Sequence, residues 1–133
     1  FNATIDRGGV RDSVFVLDPI YGQMKTAVLR EAAAFTLPSR QEGFSIAITE
    51  ALALGTPVII SHDCHFPEVE EAGAGITHSL EPAEIATALV RFFGDASGAE
   101  SMGHAGAALV RERYTWPAVA ERCLSLYERI KRR

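Results

Sequence analysis

Two glutamates, Glu42 and Glu50, frame the segment of this 133-residue chain whose residue types are best suited to chemistry. A separation of eight residues along a continuous helix corresponds to a rise of about 12 Å, so the two carboxylates cannot form a close acid–base pair. They could instead contact two parts of one extended ligand, because a carboxylate accepts hydrogen bonds from ribose or sugar hydroxyls. The alternative is that both are ordinary solvated charges.

The loop over residues 38–45 follows an apolar run and precedes a helical pattern. This order places the loop at the carboxyl end of a parallel sheet, where open α/β folds bind ligands. The first turn of a helix leaves its N–H groups unpaired and carries a partial positive charge. Backbone donors at Ser45 and Ile46 could therefore bind a diphosphate, and Gly43 would let the main chain approach it. The alternative is a helix terminus that only caps itself or contacts water.

Alternating apolar runs and helical patterns predict the elements that position this loop. We expect strands over residues 13–17, 34–37, 58–60 and 76–77, and helices over residues 22–33, 44–54, 67–72, 81–93, 96–113 and 116–131. Val58 to Ile60 suits a central strand that is buried on both faces. Gly55 is suited to the left-handed conformation that often ends a helix. The pattern predicts an α/β fold with a parallel sheet covered by helices.

Several side chains of the second half are expected to have structural roles. Thr115 is a candidate N-cap of the last helix, and Trp116 is expected to pack beneath that helix. The helical spacing of an apolar stripe predicts core packing rather than a cofactor site; its members are Ile85, Leu89, Phe92 and Phe93.

The composition is that of an ordinary globular domain, with 47% hydrophobic and 23% charged residues. It excludes a disordered tail, a collagen-like rod and a disulfide scaffold, and it predicts one domain over residues 1–133. A net charge of −4 disfavours nucleic-acid binding. Cys64 and Cys123 are expected to be reduced and partly buried. With neither a signal peptide nor a long apolar run visible, we expect a cytoplasmic location.

The end of the chain is basic, because residues 111–133 hold seven Lys and Arg against three Glu. Cations near a helix C-terminus complement the helix dipole, which predicts a solvated helix end. The alternative is weak peripheral contact with an anionic membrane or another partner.

Residues 62–65 combine two histidines, an aspartate and a cysteine. Their spacing lacks the geometry that directs several ligands to one ion, so we expect a polar loop rather than a metal site.

The residues from Glu42 to Glu50, followed by residues 51–59, resemble the E-x7-E segment of retaining glycosyltransferases of the GT-B fold, the group 1 family (family 4). The resemblance extends upstream to a strand and P-S turn at residues 35–39. Downstream it includes a P-E turn at residues 66–69 and an aromatic-Thr-Trp cap at residues 114–116. Together these segments cover about residues 15–129 in the order of the family.

The resemblance implies a Rossmann-like domain, with helices on both faces and extra C-terminal helices, that binds a nucleoside-diphosphate sugar. The resemblance implies that Glu50 binds the ribose, that main-chain N–H groups bind the diphosphate and that Phe44 holds the turn. The donor-binding residues that it implies are Glu50, Gly43, Phe44, Ser45 and Ile46. Glu42 would face the transferred sugar and is the candidate catalytic residue. The resemblance implies no cofactor and no metal requirement.

The same resemblance implies that the chain is one half of a two-domain transferase. The acceptor-binding N-terminal domain and the family's basic Arg and Lys pair would lie upstream of Phe1, so we expect the isolated fragment to be inactive. The alternative is a non-catalytic Rossmann-like module that binds a nucleotide or another protein.

Overall fold

The computed structural model describes residues 2–132, which form a three-stranded parallel sheet with helices on both faces. The strands are β1 (Phe35–Leu37), β2 (Val58–Ser61) and β3 (Gly75–His78). The helices are α1 (Asn2–Gly8), α2 (Gly22–Glu31), α3 (Ile46–Ala53), α4 (Glu68–Glu71), α5 (Pro82–Phe93), α6 (Ala96–Arg113) and α7 (Trp116–Lys131). Short 3-10 turns cover Arg11–Ser13 and His62–Cys64. The predicted α/β fold class is confirmed.

Strand β2 is the centre of the sheet and pairs in parallel with β1 on one side and β3 on the other. Phe35 lies opposite Val58, and Ser61 lies opposite His78. All four residues of β2 are buried, as the run of β-branched side chains predicts. Because the three strands are parallel, their carboxyl ends meet at one edge, where the loop after β1 lies.

Alternate residues of β2 supply two cores, one on each face of the sheet. Val58 and Ile60 pack with α3, α4 and the end of α6, whereas Ile59 packs with β3 and α5. The first core also contains Ile48, Leu52, Val69, Leu109 and Val110, and the second contains Ile76, Ala88 and Phe92. Helix α6 contributes to both cores, since Met102 packs against the second.

The strand predicted over residues 13–17 is wrong. Residues 11–13 form the 3-10 turn, and the following residues have no regular structure. Phe15 is 82% exposed, and Val16 and Leu17 are exposed with it. A strand needs a neighbour to bind its backbone, and within residues 2–132 the only strand paired with β1 is β2.

The predicted bounds of α6 and α7 are confirmed, but the predicted burial or capping role of several side chains is wrong. Trp116 is 87% exposed and does not pack beneath α7. Thr115 stands at the N-cap position, but its hydroxyl donates to the carbonyl oxygen of Arg111 instead of capping. Cys123 is exposed. Phe93 is exposed too, although its ring contacts that of Phe92 edge to face.

Candidate functional site

The loop over residues 38–45 is fastened to the end of β2 and to the turn that follows it. Ser61 Oγ donates to the carbonyl oxygen of Ser39 at 2.5 Å. Cys64 Sγ, which is buried, donates to the carbonyl oxygen of Leu37 at 3.4 Å. The N–H of Glu42 donates to the carbonyl oxygen of Asp63 at 3.1 Å. These bonds hold Glu42 at the carboxyl edge of the sheet.

Helix α3 begins at Ile46, two residues later than predicted, with Ser45 as its N-cap. The buried Ser45 hydroxyl accepts from the N–H of Ile48 at 3.4 Å. No hydrogen bond within the described part of the chain engages the N–H groups of residues 43–46. A Cβ on Gly43 would meet no atom within 4 Å, so the main chain is open to a ligand there.

Phe44 rests on an aromatic cluster formed with Phe66 and Tyr114. Its ring centroid lies 5.8 Å from that of Phe66 and 5.5 Å from that of Tyr114, and the latter two rings meet edge to face at 5.3 Å. Such geometries are favourable for aromatic pairs. Burial, followed by the nearby carboxylate of Glu68, raises the pKa of Tyr114 above its ordinary value. Sequence reasoning gave Tyr114 no role at the site.

Glu42 is half-buried and lies in the loop, four residues before α3 begins. The helical rise calculated between Glu42 and Glu50 therefore does not apply, because only the second of these residues is helical. Among residues 2–132, the Glu42 carboxylate has no hydrogen bond or ion pair, which leaves both of its oxygens available.

Glu50 lies within α3, and its side chain, which is 38% exposed, contacts α2. Its Oε1 accepts from Lys25 Nζ at 2.6 Å. Thr56 Oγ1 donates to the carbonyl oxygen of Leu29 at 2.6 Å, which fastens α2 beside the strand that follows α3. A cavity of about 390 Å³ adjoins the ion pair and is otherwise lined mainly by apolar residues, among them Ile20 and Val28. Sequence reasoning missed Lys25, since a contact between residues 25 positions apart leaves no local signal.

The four residues of the 62–65 turn do not converge. Cys64 points into the core, whereas His62, Asp63 and His65 are exposed. His65 has a φ of 51°, a left-handed conformation that favours glycine. No group of three potential metal ligands is gathered within the described ranges.

A separate cavity of about 290 Å³ lies between β3 and α5. Glu84 and Arg91 line it together with His78, whose Nδ1 contacts the carbonyl oxygen of Ser79 at 2.6 Å. Hydrogen bonds from Ser79 hold the pKa of Glu84 below its ordinary value. Sequence reasoning did not single out these residues.

The basic end of the chain projects along α7, where residues 120–132 are all exposed; Arg133 lies outside the described residues. Leu124, Tyr127 and Ile130 are exposed apolar residues on this helix. Membrane contact through this end stays a prediction. None of the helices described in the structure combines the length and apolarity needed to cross a bilayer.

The sequence of this chain is similar to those of several known enzymes. Residues 2–95 match the family model described as "Glycosyl transferases group 1". The chain is 28% identical over 124 residues to the MMP alpha-(1->4)-mannosyltransferase of Mycolicibacterium hassiacum, a match that covers 91% of this chain and 30% of that enzyme. It is 32% identical over 126 residues to the phosphatidyl-myo-inositol mannosyltransferase of Mycobacterium leprae, covering 92% and 33% respectively.

The solved structure of sucrose-phosphate synthase from Thermosynechococcus elongatus has the same fold. The TM-score is 0.83 at 24% sequence identity, over 97% of this chain and 33% of that one. The chain spans about a third of the length of each of the two mannosyltransferases.

Proposed function

The chain belongs to the group 1 glycosyl transferases, and we propose that it supplies the part of such an enzyme that binds a nucleoside-diphosphate sugar. The glycosyl group of this donor passes to an acceptor with retention of configuration. Hexosyl transfer is the reaction class, because two of the relatives are named mannosyltransferases. The acceptor contacts the remainder of the protein, and this chain alone does not catalyse transfer.

The observation that carries the proposal is the position of Glu50. Its side chain, 38% exposed, lines a cavity of about 390 Å³ that is large enough for a nucleoside. One oxygen is paired with Lys25, and the other has no hydrogen bond in the part of the chain that the structure describes. A carboxylate with a free oxygen beside a cavity can accept hydrogen bonds from ribose hydroxyls.

The diphosphate is bound by the main chain at the start of α3. The N–H groups at residues 43–46 are available, and the helix terminus favours negative charge. The diphosphate gains charge as the glycosidic bond breaks, so donors already in place stabilise the transition state more than the ground state. We expect these groups to act without a metal or cofactor.

Glu42 faces the transferred sugar. Its backbone bond to Asp63 fixes its position on the loop, and its carboxylate oxygens are available to sugar hydroxyls. A carboxylate beside an oxocarbenium-like centre also stabilises positive charge. Glu42 therefore contributes to sugar binding and to the electrostatics of the reaction.

A binding experiment on the whole protein tests the proposal. We expect UDP, GDP or ADP to bind in ligand-observed NMR and calorimetry. Glu50→Gln should weaken binding of the preferred nucleotide by about tenfold or more, because hydrogen bonds to a charged carboxylate are lost. Glu121→Gln is the matched control, because Glu121 is an exposed helical glutamate on α7. The proposal is overturned if no nucleotide binds at millimolar concentration, or if both variants bind like the wild type.

A further inference from the structure

Lys25 and Glu50 form an ion pair between two helices at the proposed ribose site. Lys25 Nζ lies 2.6 Å from Glu50 Oε1, and the two side chains are 40% and 38% exposed. The other ion pairs found among residues 2–132 join positions no more than five apart in the chain. The Lys25–Glu50 contact therefore depends on how α2 packs against α3.

The pair lies at the junction of two cavities. Both residues line the apolar cavity of about 390 Å³ and also a smaller one of about 200 Å³, whose lining includes Thr26, Leu29 and Leu54. A ligand in either cavity would meet the pair rather than Glu50 alone. The ion pair with Lys25 therefore affects which ligand groups the Glu50 carboxylate can bind.

The contact occupies one carboxylate oxygen and leaves the second without a hydrogen-bond partner in the described chain. A free glutamate samples several rotamers, and ordering it on binding costs conformational entropy. Lys25 restricts this freedom before a ligand arrives, and it does so without consuming the second acceptor.

We propose that Lys25 is the positioning residue for Glu50 and thereby determines the preference of the site for ribose over deoxyribose. This inference rests on the proposed function. Lys25 holds the Glu50 side chain in the orientation in which Oε2 accepts a hydrogen bond from a ribose hydroxyl. A donor that lacks that hydroxyl cannot form this hydrogen bond, so the orientation of Glu50 does not increase its affinity.

The test compares the affinities of the whole protein for a ribonucleoside diphosphate and for its 2′-deoxy analogue. We expect the wild type to favour the ribose form by about tenfold, and Lys25→Met to reduce this ratio to below about threefold. Lys25→Arg, which keeps the charge, should restore part of the preference. Arg30→Met is the matched control, because Arg30 lies on the same helix and is exposed.

Inorganic pyrophosphate serves as a third probe, because it has no ribose. Its affinity should change by less than about twofold in Lys25→Met, whereas a merely structural role of Lys25 would weaken all three ligands together. The inference is overturned if Lys25→Met keeps the ribose preference, binds nucleotides more tightly, or loses pyrophosphate binding. Those results leave the proposed function standing, whereas failure of the wild type to bind any nucleotide overturns both.

Discussion

The ring of Phe44, in the loop that precedes α3, packs against the ring of Tyr114 at the end of α6, with centroids 5.5 Å apart and planes inclined by 41°. Phe66 completes the contact from the turn before α4. The end of α6 and the turn before α4, both distant from the loop in the sequence, therefore pack against one side of it. Because 57% of Phe44 remains exposed, this support leaves one side of the loop open to a ligand.

Removal of the Tyr114 ring should destabilise the protein and loosen the loop. We expect Tyr114→Ala to lower the free energy of unfolding by about 2 kcal/mol, since a half-buried aromatic ring loses both packing and ring contacts. Tyr114→Phe should change it by less than about 1 kcal/mol, because the ring remains. Urea denaturation followed by circular dichroism measures both.

Trp116→Ala is the control for this comparison. Trp116 is 87% exposed, so we expect a change within about 0.5 kcal/mol. An equal loss of stability in the two alanine variants would contradict the support that the structure assigns to Tyr114.

Gly43→Ala should separate ligand binding from folding. Gly43 is not among the residues with positive φ, and an added Cβ would meet no protein atom within 4 Å. Stability should therefore change by less than about 0.5 kcal/mol. If a diphosphate approaches the main chain there, the methyl group will obstruct it, and affinity for a nucleoside diphosphate should fall by about tenfold in calorimetry. The affinity for the parent nucleoside is the internal control, and an equal fall for both ligands would argue against a diphosphate at Gly43.

The elements nearest the site could be predicted because their signals are local. The β-branched run of β2 is bounded by Pro57 and a polar turn, and Gly55, with a φ of 78°, follows α3 as predicted. The loop between β1 and α3 follows from the order of these elements. Its position at the carboxyl edge needed no knowledge of distant contacts.

The incorrect and missed predictions concern contacts that depend on distant residues. Phe15 and its neighbours have the composition of a strand, but strand formation requires a partner that composition does not specify. Trp116 has the apolar character of a core residue, yet its burial depends on what packs beside α7. The Lys25–Glu50 pair depends on the packing of α2 against α3.

Acid should destabilise the start of α6 through Asp95. The Asp95 carboxylate accepts hydrogen bonds from the N–H of Gly98 and from the hydroxyl of Ser97. These bonds, that of Gly98 having the larger effect, lower the pKa of Asp95 below its ordinary value of 3.8. A carboxyl group whose pKa is lower in the folded state contributes stability above its unfolded pKa and loses it as the pH falls through the folded value. The urea midpoint should therefore fall between pH 5 and pH 2, and less steeply in Asp95→Asn, which still caps the helix but does not titrate there.

Glu84 also has a lowered pKa, so Asp95→Asn should retain part of the acid dependence. Glu121→Gln, at an exposed position on α7, should follow the wild-type profile. Identical acid profiles for wild type and Asp95→Asn would show that the cap does not contribute to the pH dependence.

The close approach of α6 to the end of α3 requires glycine at position 103. An added Cβ there would overlap the carbonyl oxygen of Gly55, the residue whose left-handed conformation follows α3. In an exposed helix interior, Gly→Ala stabilises by about 1 kcal/mol, but overpacking against a backbone group costs about 1–3 kcal/mol. We expect Gly103→Ala to lower the free energy of unfolding by about 1–2 kcal/mol, as measured by urea denaturation. Gly8→Ala is the control, since its Cβ would make only an ordinary 3.6 Å contact with Val10, and an increase in stability in both variants would contradict the tight packing of α6 on the turn at Gly55.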